Sequence, residues 1–68
     1  MYDVWMKSRD VIKKIEAAGW VQVRVNGSHH HFKHPTRLGL VTVPHPEAEM
    51  AKGTLRSIEK QSGVKLIT

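Results

Sequence analysis

The stretch from Trp20 to His34 leaves this chain the least conformational choice. Its first half, Trp20-Val21-Gln22-Val23-Arg24-Val25, alternates valine with other side chains residue by residue, the period of a half-buried strand. Valine's branched Cβ restricts its rotamers and favours a pleated backbone, which reinforces the pattern. Asn26-Gly27 follows at once, and both residues tolerate the positive φ that a two-residue hairpin turn demands. Ser28 to His34 then alternates again, so an antiparallel hairpin is expected, with strands near 20–25 and 28–34. Side chains reverse direction at every strand residue, which puts Val21, Val23 and Val25 on one face and Trp20, Gln22 and Arg24 on the other. In the second strand His30 and His34 share a face with Phe32, whereas His29, His31 and Lys33 share the opposite one. If Phe32 is turned to the core, His29 is turned to solvent.

The flanks supply the rest of a fold. Upstream, Val11, Ile12, Ile15 and Ala18 recur at spacings of three and four, predicting an amphipathic helix near 8–18. Ser8 is the expected N-cap, Asp10 suits the positive dipole end, and Gly19 supplies a left-handed stop. Downstream, Pro35 to Gly39 breaks the strand pattern, and Leu40 to Val43 reads as a third strand ending at Pro44. After a loop through His45, a second and weaker stripe of Leu55 and Ile58, with Met50 as a candidate member, predicts a helix near 52–62 ending at Gly63. The expected architecture is α+β in the order α-β-β-β-α, with a three-stranded antiparallel sheet, two helices on one face and the other face open.

Composition narrows the function classes. The 68 residues suffice for one domain, and the absence of cysteine excludes a disulfide framework or a thiolate zinc site. No apolar run approaches the roughly 20 residues of a membrane span. The start lacks the layout of a secretory signal, so the expected location is cytoplasmic, with no membrane partner. Eleven Lys and Arg against six Asp and Glu leave a net charge of +5, which favours a polyanionic partner through counterion release. The adjacent histidines 29–31 lie inside an alternating strand pattern, where an expression-tag remnant would not fall, and are read as native.

Four segments in order resemble the HicA toxins of bacterial HicAB toxin–antitoxin pairs. They are Met6-Lys7-Ser8 with Gly19-Trp20, then Gly27-Ser28-His29 with Phe32, then Val43-Pro44-His45, and last Gly53-Thr54-Leu55-Arg56-Ser57-Ile58. The resemblance covers most of the chain and leaves residues 1–5 as a possible N-terminal extension, in which Tyr2, Val4 and Trp5 would be idle or would add an apolar contact. It implies a fold like double-stranded-RNA-binding domains, endoribonuclease action on messenger RNA, and neutralisation by a HicB-type antitoxin protein. It also implies His29 as the catalytic residue.

The chemistry of the residues suits that role. An imidazole titrates near neutrality and can take a proton from a ribose 2′-hydroxyl and return one to a leaving oxygen. RNA carries its own nucleophile, so neither metal nor other cofactor is expected. His29 and His31 share a strand face at a spacing that would reach one metal ion, but a third ligand is available only by assumption from His45, Glu47 or Glu49. Gly27, Ser28, His31, Lys33 and Arg24 are the candidate substrate-binding residues, against the plainer reading of a turn and a solvated strand face. His30 and His34 are expected to pack partly buried beside Phe32, and His45 to be a loop residue. An acidic antitoxin surface is expected to cover His29 and Lys33. The alternative function is an RNA-binding module of the same fold without catalysis.

Overall fold

The computed structural model describes residues 6–67. The extension expected over residues 1–5 lies outside them. The elements are α1 (Ser8–Ala17), β1 (Val21–Asn26), β2 (His29–Lys33), β3 (Val41–Pro44) and α2 (Lys52–Ser62), each boundary within one residue of the sequence expectation. The strands form one antiparallel sheet in the order β1-β2-β3, as the hairpin pattern predicts.

Both helices lie on one face, where Val11 and Ile15 of α1 and Leu55 and Ile58 of α2 meet Phe32, Val41 and Val43 from the sheet. Trp20, Met50, Leu66 and Ile67 complete this core, and the Trp20 indole N–H donates to the Ser62 carbonyl at 3.2 Å. Burying each such aliphatic or aromatic side chain stabilises the fold by about 1.5–3 kcal/mol relative to exposure, so a core this small depends on every member. Met50 is buried just ahead of α2, where an isolated bridge pairs it with Met6, so it belongs to the core without belonging to the helix.

Two local expectations fail for identifiable reasons. The strict alternation of β1 is broken by a β-bulge: Gln22 pairs with Phe32 and Arg24 with His31, so Val23 is an extra residue on its strand. Val21 pairs with Lys33, which places Val21 and Arg24 on one face, not on opposite ones. The valines do not form a buried stripe either; Val21, Val23 and Val25 are 58%, 53% and 47% exposed. The bulge turns Val21 and Val23 to the open face, and Val25, opposite His30 on the helix side, is left uncovered because the helices pack chiefly on β3 and β1 is the far edge of the sheet. The second failure is Ser8. Lys7 occupies the N-cap without a side-chain bond, and the buried Ser8 hydroxyl turns inward, accepting the Glu47 N–H at 2.8 Å and meeting His45 Nδ1 at 2.6 Å.

Gly19 stops the first helix as expected, with φ +103°, and it is required for a second reason. His34 Nε2 reaches past it to the Ala18 carbonyl at 2.9 Å, and a Cβ on Gly19 would lie 2.7 Å from that nitrogen. Beyond Gly63 the chain turns back to bury Leu66 and Ile67, a core contribution with no periodic signature in the sequence. Glu59 holds this tail: the Ile67 and Leu66 N–H groups each donate to its Oε2 at 2.6 Å. Those two bonds, helped by Arg56 and Lys65, hold the Glu59 carboxyl below the usual carboxylate range despite partial burial.

Candidate active site

The open face of the sheet is organised by its central strand. His29 is the first residue of β2, pinned on one side by Asn26 of β1 and on the other by Pro44 of β3, so its backbone is held in a ladder and not carried on a loop. The turn before it is made by Gly27 at φ +63°, a conformation that costs glycine little. Ser28 is fixed through its carbonyl, which accepts the His45 N–H at 2.7 Å. His45 is in turn anchored through its ring to the buried Ser8. The His29 side chain thus stands at a rigid corner where the hairpin turn, the end of β3 and the start of α1 converge.

Alternation places His31 and Lys33 beside His29, and the bulge brings Arg24 to the same face opposite His31. The His29 and His31 ring centroids are 6.5 Å apart with planes tilted by 51°. His31 is oriented by a 2.9 Å bond between its Nδ1 and the Thr42 hydroxyl on β3. Arg24, His31 and Lys33 line one concavity together with Val23 and Leu40. The structure therefore gathers all six sequence-derived candidates on one hairpin: Gly27 and Ser28 in the turn, and Arg24, His29, His31 and Lys33 along the open face.

The other histidines have structural work. His30 lies partly buried on the core side with Nδ1 2.9 Å from Gln22 Oε1, and its ring meets that of His45 edge-on at 4.9 Å. His34 accepts the Thr36 N–H at Nδ1, which leaves Nε2–H to donate to Ala18, and it packs edge-on against Trp20 at 5.3 Å. His45 is a loop residue, as expected, but sequence reasoning missed its tie to Ser8 and Ser28, since the contact spans 37 residues and leaves no local signal. Among the described residues His29 alone of the five histidines has no ring hydrogen bond, and it is exposed. Also among the described residues, no group of three or more His, Asp or Glu is placed to hold a metal ion, and no helix is long and apolar enough to cross a membrane.

A family model described as the HicA toxin of bacterial toxin–antitoxin systems matches residues 8–64. The chain belongs to the HicA toxin family. A solved structure titled "HicA3 and HicB3 toxin-antitoxin complex" contains a chain with the same fold, at 33% identity and TM-score 0.73, covering 91% of this chain and 100% of the other. No curated protein matches the sequence. Within the HicA span, Gly27-Ser28-His29 and Val43-Pro44-His45 are separate in sequence, and the fold joins them through the His45–Ser28 backbone bond and the His29–Pro44 pairing. Val23 and Leu40 belong to no segment that suggested the family, and alternation alone placed Val23 on the face away from Arg24.

Proposed function

We propose that this HicA toxin is an endoribonuclease that cleaves messenger RNA with His29 as its general base and acid. The observation that carries this reading is the contrast among the histidines: His30, His31, His34 and His45 are each committed to a hydrogen bond, whereas the His29 ring stands exposed with no hydrogen bond among the described residues, on the same face as Arg24 and Lys33. An imidazole so placed takes the proton of a ribose 2′-hydroxyl as that oxygen attacks the adjacent phosphorus. It then returns the proton to the 5′-oxygen as the P–O5′ bond breaks. The 2′-hydroxyl is internal to the substrate, so no metal-bound water is needed as nucleophile. Arg24, Lys33 and the Nε2 of His31 are the groups to hold the phosphodiester, with the Gly27–Ser28 turn bounding the site.

The chain acts as one toxin unit in the cytoplasm, and its partners are messenger RNA and a HicB-type antitoxin. The antitoxin neutralises it by laying an acidic surface over His29 and Lys33, the simplest inhibitor of a basic open face. That the structural match is a toxin–antitoxin complex supports the pairing.

The test is RNA cleavage by purified wild type, His29→Ala and His31→Ala, with thermal melts and an EDTA control. His29→Ala should lose on the order of 10² to 10⁴-fold in rate, the usual worth of general acid–base catalysis, with an unchanged melt. Wild-type cleavage should be indifferent to EDTA. Wild-type rates from His29→Ala, or loss of wild-type activity in EDTA, would sink the mechanism. Binding without cleavage by the wild type would leave the non-catalytic RNA-binding module.

A further inference from the structure

Among the described residues five large apolar side chains stand in solvent, Val21, Val23, Val25, Leu38 and Leu40, and two of them converge. Val23 on β1 and Leu40 just before β3 flank the central strand, with His31 and Lys33 of β2 between them and Arg24 at the rim, around a cavity of about 380 Å³. Neither wall is there for the core, since Val23 is 53% and Leu40 39% exposed on the face opposite the helices. The bulge at Val23 is what builds the slot: without the extra residue, Val23 and Arg24 would fall on opposite faces. Bulges commonly re-aim side chains beside functional sites, at the expense of a ladder bond.

We infer that this slot takes the base of an unpaired RNA nucleotide next to the cleaved bond, and so fixes where the toxin cuts. The inference rests on the ribonuclease reading of the same face. Its chemistry is that of a nucleotide: apolar walls and the His31 ring offer surfaces for the flat face of a base, and two cations meet phosphate. The helix exteriors that carry Lys13, Lys14 or Lys60 offer charge, but among the described residues no large apolar side chain stands exposed on either helix. The cavity is of small-ligand size, suited to one nucleotide. A duplex cannot fill it, because paired bases hide their faces in the stack, whereas single strands and loops can splay one out. The position is also set. His31, which lines the slot, has its ring 6.5 Å from that of His29, so a base held here belongs to a nucleotide adjoining the bond His29 acts on.

The test combines Val23→Ala and Leu40→Ala, singly and together, read by mapping cut positions on single-stranded RNA and by titrating a single-stranded 2′-O-methyl oligonucleotide, which lacks the nucleophile and is bound without being cut. The double variant should bind that oligonucleotide about tenfold more weakly, the scale of one lost base contact. Its KM should rise more than its kcat falls, and its cut positions should scatter where the wild type concentrates them. Unchanged binding and unchanged cut positions would overturn the slot while leaving the ribonuclease intact. Duplex RNA bound as tightly as single strands would overturn it too. If the wild type cuts nothing yet the variants still lose oligonucleotide affinity, the slot stands and the nuclease reading fails. Loss of antitoxin binding with oligonucleotide affinity unchanged would reassign these walls to protein docking.

Discussion

Val23 and Val43 carry the same side chain in the same sheet, and the fold treats them oppositely: Val43 is fully buried under both helices and Val23 is more than half exposed. The difference runs through the molecule. One region, formed by β3, the two helices and the C-terminal turn-back, holds nearly all of the core; the other, the β1–β2 hairpin, adds only Phe32 from its strands and otherwise faces water. An alternating valine pattern therefore says that a strand forms and not that its valines are buried, because burial depends on where the helices lie. An exposed apolar edge is a hazard for aggregation, and here the bulge, Arg24 and Gln22 interrupt it. What is left uncovered is the surface on which a substrate can be held.

The largest expected effect follows from that division. Leu55→Ala, in the helix-covered region, should destabilise by about 2–5 kcal/mol and leave little folded protein in a chain of this size. Val21→Ala on the hairpin edge should change stability by no more than about 0.5 kcal/mol. Urea melts of the two variants decide the point, and equal losses would mean that β1 is covered in solution.

How far these regions could be read in advance differs as well. The order of elements was legible because each carries its own period and its own stops, as in Gly27 and Gly19. The hairpin turn itself is Gly27-Ser28, one residue later than the expected Asn26-Gly27, because Asn26 stays in β1 opposite His29 with no positive φ. The candidate site was legible in part: alternation separated His29, His31 and Lys33 from Phe32 without any knowledge of the helices. The bulge was hidden, since Val21-Gln22-Val23-Arg24 alternates perfectly and only pairing with β2 shows the inserted residue. Ser8 was misread because a serine at a helix start looks the same whether its hydroxyl caps the helix or reaches Glu47 and His45. Leu66 and Ile67 follow the second helix with no period of their own, and their burial depends on Glu59 accepting their amides.

A smaller effect sharpens the comparison at that tail. The Glu59 carboxyl is held below its ordinary range in the folded state, so it contributes stability that is present above the unfolded carboxylate pKa and is lost as pH falls through the folded value. Acidification should therefore speed exchange of the Leu66 and Ile67 amides, relative to the intrinsic rate, before it disturbs the β1–β2 ladder, and Glu59→Gln should show the fast exchange already at neutral pH. Tail protection that ignores both changes would show that packing alone holds it.

The central claim is that the helix-covered region maintains the fold while the open face of the hairpin handles RNA, and one titration tests it most directly. Backbone amide shifts of the ¹⁵N-labelled toxin are followed as a single-stranded 2′-O-methyl oligonucleotide is added. The moving amides should cluster at Val23, Arg24, His29, His31, Lys33 and Leu40, with α1 and α2 still. Shifts concentrated instead on the basic outer faces of α1 and α2, with Val23, His29 and Leu40 unmoved, would contradict it.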